Sequence, residues 1–226
     1  MNQINVLNGG YVRLVDHMGS DLAIVRSARV SYDAEWREVV EGEIDSKDEK
    51  LINYLMKNKH TSPFESVVFT FEVKAPIFVF RQWHRHRTWS YNEVSARYTE
   101  LDMGYYVPEL DKITLQSTDN KQMRTTEKHP QADYIARLID AQCKNAFATY
   151  KALLECGTPR ELARGVLPVN AYSKMFATID IHNLFHFLRL RLHEHAQYEI
   201  RVYAEAMLEI ITPIVPIAVT AFKATL

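Results

Sequence analysis

"SVVFTFEVKAPIFVFRQWHRHR", residues 66–87, changes its period at one residue. Before Pro76 the apolar residues alternate, with Phe69, Phe71 and Val73 on one side. Side chains of a strand point alternately to opposite faces, so this pattern predicts a half-buried β-strand. Pro76 has no N–H for a ladder, while its fixed φ suits the first position of a helix. "PIFVFRQWHRHR" is therefore predicted to be a helix, on which Arg81 and Arg85, and Gln82 and Arg85, share a face. A strand that feeds directly into a helix ending in cations is the core of the reading.

The flanking sequence extends it in both directions. "NVLNGGYVRLV" predicts two short strands about an Asn8-Gly9-Gly10 turn. Ser20 is placed to cap a helix through "DLAIVRSARVSY", and Ser46 with Glu49 has the spacing of a capping box. "TWSYNE" is expected to be a loop and "VSARYTE" extended, which would turn Ser95 and Arg97 to one side. "QSTDNKQMRTTEKHPQ" is expected to be a surface loop. Ile135, Leu138, Ile139, Cys143, Ala146, Tyr150, Leu153 and Leu154 mark a long amphipathic helix that ends at Gly157. "TPRE" (158–161) looks like a capping box for a helix carrying Arg164, "AYSKMFATID" reads as a strand, and residues 182–210 read as largely helical. Strands and helices do not alternate regularly. An α+β fold of mixed strands and long helices, in one domain over residues 1–226, is expected.

Within residues 81–98 stand four arginines, two histidines, four aromatics and a single acid, Glu93, for a local net charge of +3 against −1 for the whole chain. A near-neutral chain does not resemble a general nucleic-acid binder, which spreads basic charge over a face. Arginine presents a planar fork of donors matched to phosphate or carboxylate, and aromatic rings offer stacking surface. Together they describe a nucleotide-type ligand. A solvated surface cluster, or a nucleotide- or RNA-binding module without chemistry, uses the same residues.

Histidine suggests a metal hydrolase as a third possibility, through His84 with His86 and His182 with His186. Neither pair is part of an H-E-x-x-H pattern, and arginines flank the first, so no metal site is expected. Cys143 and Cys156 form no CxxC; Cys143 falls on the apolar stripe of the long helix and Cys156 at its last turn, both read as packing residues, so no protein nucleophile is evident. No secretory signal is visible at the start, and "AMLEIITPIVPIAVTAF" is interrupted by Glu209, Pro213 and Pro216. A cytoplasmic location, with no membrane partner and no nucleic-acid partner, is the expectation.

Arg85-His86-Arg87, seven residues and then Ser95 ("RHRTWSYNEVS") resembles the hallmark of the flavin-dependent thymidylate synthases. "HTSPFE" upstream, and "PRELARGVLP" and "LRLHEHAQYEI" downstream, are similar to that family's other blocks. The resemblance implies methylation of dUMP to dTMP, with methylenetetrahydrofolate as carbon donor and NADPH reducing FAD. It also implies a homotetramer with sites shared between subunits, and chemistry without an enzyme nucleophile.

Residue by residue, the resemblance implies dUMP contacts at Gln82, Trp83, His84, Arg85, Glu93, Val94, Ser95, Ala96, Arg97, Arg164 and Arg191. Arg191 would polarise the pyrimidine as the catalytic residue. FAD contacts fall on Ser62, Arg85, His86, Arg87, Glu93, Asp180, Ile181, His182 and His186, and His60 would lie near the folate. The stretch Glu93–Arg97 would serve a nucleotide whose Gln82, Arg164 and Arg191 contacts come from a neighbouring subunit.

Overall fold

The computed structural model describes residues 2–31 and 44–226. The end of the first predicted helix segment, Tyr32, lies outside them. At the N-terminus β1 (Gln3–Val6) and β2 (Gly10–Met18) form the expected hairpin. Gly10 is there for space: an added Cβ would stand 2.1 Å from the Tyr203 hydroxyl and 2.8 Å from the Lys74 carbonyl. That hydroxyl donates to the Lys74 carbonyl oxygen at 2.8 Å, so a side chain at position 10 would break a tie between sheet and helix.

Helix α1 (Asp21–Val30) follows, but the Ser20 side chain makes no cap hydrogen bond. In α2 (Ser46–Lys57) the cap is Asp45, not Ser46: its carboxylate accepts from the N–H groups of Lys47 and Asp48. A short 3-10 turn, Ser62–Ser66, leads into β3 (Val68–Pro76) and then α3 (Ile77–Trp83). The strand-to-helix switch at Pro76 holds. The helix stops sooner than its pattern predicts, because His84 closes it, and Arg85 therefore does not share its face.

Three further expectations give way to the tertiary structure. "SYNE" is a strand, β4 (Ser90–Glu93), and "SARYT" is a tight turn in which the Ser95 carbonyl accepts from the N–H groups of Tyr98 and Thr99. The polar segment after residue 113 forms a hairpin of β5 (Thr114–Gln116) and β6 (Arg124–Lys128). Then come α4 (Ala132–Glu155), the four-residue α5 (Arg160–Ala163), β7 (Tyr172–Asp180), α6 (Ile181–Arg191), α7 (Tyr198–Ile211) and α8 (Pro216–Lys223). Residues 182–210 are largely helical as expected, in two helices separated at residues 192–197.

The main sheet has the order β1-β2-β3-β7-β4 with antiparallel neighbours throughout. Its register sets Phe69 against Ile179, Phe71 against Ala177 and Val73 against Met175, all buried on one face. Helices α1, α3, α6 and α7 contribute to the same apolar core, with Trp83 stacked on Phe187 at 4.9 Å between ring centroids. The opposite face is polar, with Thr70 bonded to Thr178 and Glu72 held by Arg13. Strands and helices are mixed without βαβ alternation, so the fold is α+β.

The two ends of the chain are tied together. Asp21 is buried, and its carboxylate accepts from the N–H groups of Ile217 and Ala218, both at 2.9 Å. Those are orphan donors of the first turn of α8, where the helix dipole favours negative charge.

Candidate active site

Strand β7 passes directly into α6 at Asp180. Asp180 ends the strand and caps the helix, accepting from the Asn183 N–H at 2.9 Å while Asn183 Nδ2 donates to its other oxygen at 2.6 Å. One turn further, His182 and His186 reach a cleft that α6 forms with α2 and the 3-10 turn Ser62–Ser66. Its volume is about 570 Å³, and Thr61, Phe64, Phe185 and Arg189 also line it. Lys57 and Lys59 also line it, so the cleft combines aromatic walls with cations. Ser62 begins the 3-10 turn beside this cleft, and exposed His60 packs edge-on against Tyr54. Ile181 is fully buried, so only its backbone is available to a ligand.

At the far end of α6, Arg191 donates from Nε to His86 Nε2 at 2.9 Å and from Nη2 to the Gln82 carbonyl at 3.3 Å. His86 is only 8% exposed and packs against Phe187 and His186, which joins this group to the cleft. Burial first, then the cation of Arg191 and the nearby His186, push the His86 pKa down to about 4. The ring is neutral at pH 7. Nε2 must be its unprotonated nitrogen, since it accepts from a guanidinium that can only donate. Burial also lowers the pKa of Arg191, although arginine remains charged.

The central motif divides around this pair. Trp83 is fully buried in the core, so its indole offers no surface to a ligand. His84 is exposed and packs edge-on against Tyr91. The Tyr91 hydroxyl donates to the His86 carbonyl at 2.9 Å and so supports the loop after α3. Arg85 and Arg87 are exposed and form no ion pair among the described residues.

The second half of the motif lies beyond β4, an edge strand. Ser173 donates to Glu93 at 2.7 Å, and the Val94 N–H donates to the Lys174 carbonyl at 2.8 Å. Ala96 is buried, while Ser95 Oγ accepts from the Arg97 N–H at 3.3 Å. Arg97 meets Glu161 at 3.6 Å, and Arg160 meets Glu100 at 3.6 Å. These exposed pairs set the turn beside α5, which continues directly into Arg164. Such pairs contribute about 0–1 kcal/mol, so an anionic ligand can replace them cheaply.

Sequence reasoning missed Ser173, Asn183, Gln197 and Glu199. The last two do stand in the quoted block "LRLHEHAQYEI", yet nothing in their spacing connects them to Gln82. Among the described residues no cluster of histidine, cysteine, aspartate and glutamate could hold a metal ion. No helix among them is long and apolar enough to cross a membrane.

The family model for "Thymidylate synthase complementing protein" matches residues 13–217. The chain belongs to the flavin-dependent thymidylate synthase family. A flavin-dependent thymidylate synthase of Treponema denticola is 50% identical over 223 residues, covering 98% of this chain and 82% of the relative. One from Thermus thermophilus is also 50% identical, over 97% of this chain and 78% of its own. Among solved structures, a UMP/dUMP methylase of Streptomyces cacaoi bound with 5-Br dUMP has a TM-score of 0.87 and 38% identity. It covers 98% of this chain, and this chain covers 97% of it. The likeness to the flavin-dependent thymidylate synthases extends over nearly the whole chain, and the likeness to the Streptomyces cacaoi methylase extends to the fold.

Proposed function

We propose that this chain methylates dUMP to dTMP, taking the carbon from methylenetetrahydrofolate and reducing equivalents from NADPH through FAD. The observation that carries the reading is the Arg191–His86 contact beside the cleft. It holds a partly desolvated guanidinium in one orientation without neutralising it. A cation so fixed stabilises negative charge that develops on a uracil carbonyl or ring nitrogen, an effect of about 3–4 kcal/mol in comparable oxyanion sites.

Phosphate needs forked donors, which Arg97 and Arg164 supply, with Ser95 and Glu93 orienting the nucleotide between them. Gln82 and the backbone around His84 and Val94 complete the dUMP contacts. The 570 Å³ cleft suits a flavin nucleotide, having aromatic walls and cationic donors. Ser62, His182 and His186 would hold FAD there, with Asp180, Arg85, His86, Arg87 and Glu93 around it and His60 toward the folate. When bound, reduced FAD supplies the hydride. The neutral state of His86 keeps Arg191 available to the pyrimidine, and no thiol is needed.

A homotetramer with shared sites is part of the same proposal. Tyr98, Leu162 and Val169 are 80%, 66% and 57% exposed around Arg97 and Arg164, apolar surface of the kind that marks a subunit contact. A single domain over residues 1–226, acting in the cytoplasm, completes the proposal.

Tritium release from 5-labelled dUMP, with and without methylenetetrahydrofolate, tests the activity. Folate-dependent release by a yellow protein supports it. A flavin-loaded protein that releases tritium from UMP alone would move the substrate to the ribonucleotide, and a colourless, inert protein would overturn the reading.

A further inference from the structure

Gln82 does not set its own orientation. Its Nε2 donates to Gln197 Oε1 at 2.5 Å, and Gln197 Nε2 donates to Glu199 Oε2 at 2.8 Å. The other oxygen of Glu199 accepts from Arg124 at 3.0 Å and from the Tyr106 hydroxyl at 3.2 Å. Glu199 is only 2% exposed and lies in the first turn of α7, where helix N–H groups favour an anion. An ionised carboxylate only accepts hydrogen bonds. Gln197 must therefore point its amide nitrogen at Glu199 and its oxygen at Gln82. Gln82 must in turn spend an N–H on Gln197, which leaves its own oxygen directed away from the relay.

We propose that Gln197 and Glu199 are positioning residues that fix Gln82 with its carbonyl oxygen as the acceptor offered to the nucleotide. The site then selects a ligand carrying a hydrogen-bond donor at that point, either the imide N–H of uracil or a sugar hydroxyl. The inference rests on Gln82 being a nucleotide contact, as proposed above.

The relay has a polarity, and one atom reverses it. In Glu199→Gln the new amide oxygen stays with the donors Arg124 and Tyr106, so its NH2 faces Gln197. Gln197 must then turn over, and Gln82 after it, presenting an NH2 where its oxygen had been. A site that read a donor now reads an acceptor. Gln197→Met breaks the relay without touching the buried Glu199–Arg124 pair, and leaves Gln82 free to take either orientation.

Flavin-loaded wild type, Glu199→Gln and Gln197→Met are compared for Kd and KM with dUMP, dCMP and 2′,3′-dideoxyuridine monophosphate. dCMP has an acceptor where uracil has its imide N–H, and the dideoxynucleotide lacks the sugar hydroxyl. One of the two preferences, dUMP over dCMP or dUMP over the dideoxynucleotide, should fall about tenfold in both variants, the scale of one hydrogen bond to a fixed partner. In Glu199→Gln the affected preference falls further than in Gln197→Met. The change sits in KM, with kcat at saturation much less affected. If all three nucleotides weaken equally in both variants, or none weakens, Glu199 and Gln197 are merely structural and the relay is wrong. Should Glu199→Gln fail to fold, Gln197→Met alone decides. A wild type that binds none of the nucleotides would instead refute the proposed substrate, a result visible before any variant is made.

Discussion

Arg191 Nε donates to His86 Nε2 at 2.9 Å, joining the last turn of α6 to the loop that follows α3 across 105 positions of sequence. Two groups that would both be cations if His86 were protonated are thereby in direct contact. The contact exists only while the histidine is neutral.

Arg191→Ala should lower thymidylate formation by two or more orders of magnitude, since each 1.36 kcal/mol of lost transition-state stabilisation is about tenfold in rate. Flavin binding should persist, because His182 and His186 line the cleft independently of the arginine. Steady-state rates with a flavin absorbance spectrum check both. Normal turnover in this variant would remove Arg191 from the chemistry.

The depressed pKa of His86 has a sign. A proton that binds near 4 in the folded chain and near the ordinary 6.5 in the unfolded one favours unfolding as pH falls. His86 therefore contributes stability in full above about 6.5, and that contribution is lost as pH drops toward about 4. Asp21, whose pKa burial raises, acts with the opposite sign, so the His86 effect is read as a difference. Melting temperature should fall more steeply between about pH 6.5 and about 4 for wild type than for His86→Gln, which keeps an acceptor but does not titrate. Parallel curves would show that His86 does not carry this dependence.

The double variant Cys143→Ser, Cys156→Ser should retain thymidylate-forming activity. Cys143 is buried on α4, where burial and Asp140 raise its pKa and keep the thiol protonated; Cys156 is exposed at the C-terminal end of the same helix. A stability loss of about 1–2 kcal/mol is expected from the buried hydroxyl. A folded, flavin-loaded but inert double variant would reinstate a thiol mechanism.

Shared sites predict complementation. Arg97→Ala and Arg191→Ala oligomers should each be nearly inactive. If each site takes Arg97 from one subunit and Arg191 from another, random mixing restores up to about a quarter of the wild-type rate, because some sites then carry neither lesion. Subunits that demonstrably exchange without recovering activity would place both arginines on one chain.

Some of this was readable from local pattern. The alternation of Phe69, Phe71 and Val73 names the core face of β3, and Pro76 marks the switch to α3, because period and ring geometry act within a few residues. The spacing from Arg85 to Ser95 carries the family resemblance for the same reason: it is contiguous. Sequence alone thereby determined the strand-to-helix junction, the α+β class and the residues to watch.

Pairing decided the rest. "SYNE" is too polar to look like a strand, yet β7 supplies carbonyl and N–H partners along its whole length. Ser46 has the spacing of a cap, but Asp45 is the residue whose carboxylate meets the free N–H groups. The tie between Asp21 and α8, the His86–Arg191 contact and the Gln82–Gln197–Glu199 relay join positions far apart in the chain. A hydrogen bond needs both atoms at about 3 Å, and which atoms meet depends on how the sheet and helices pack. Periodicity tells a residue which way to face; only the packed fold supplies what it faces.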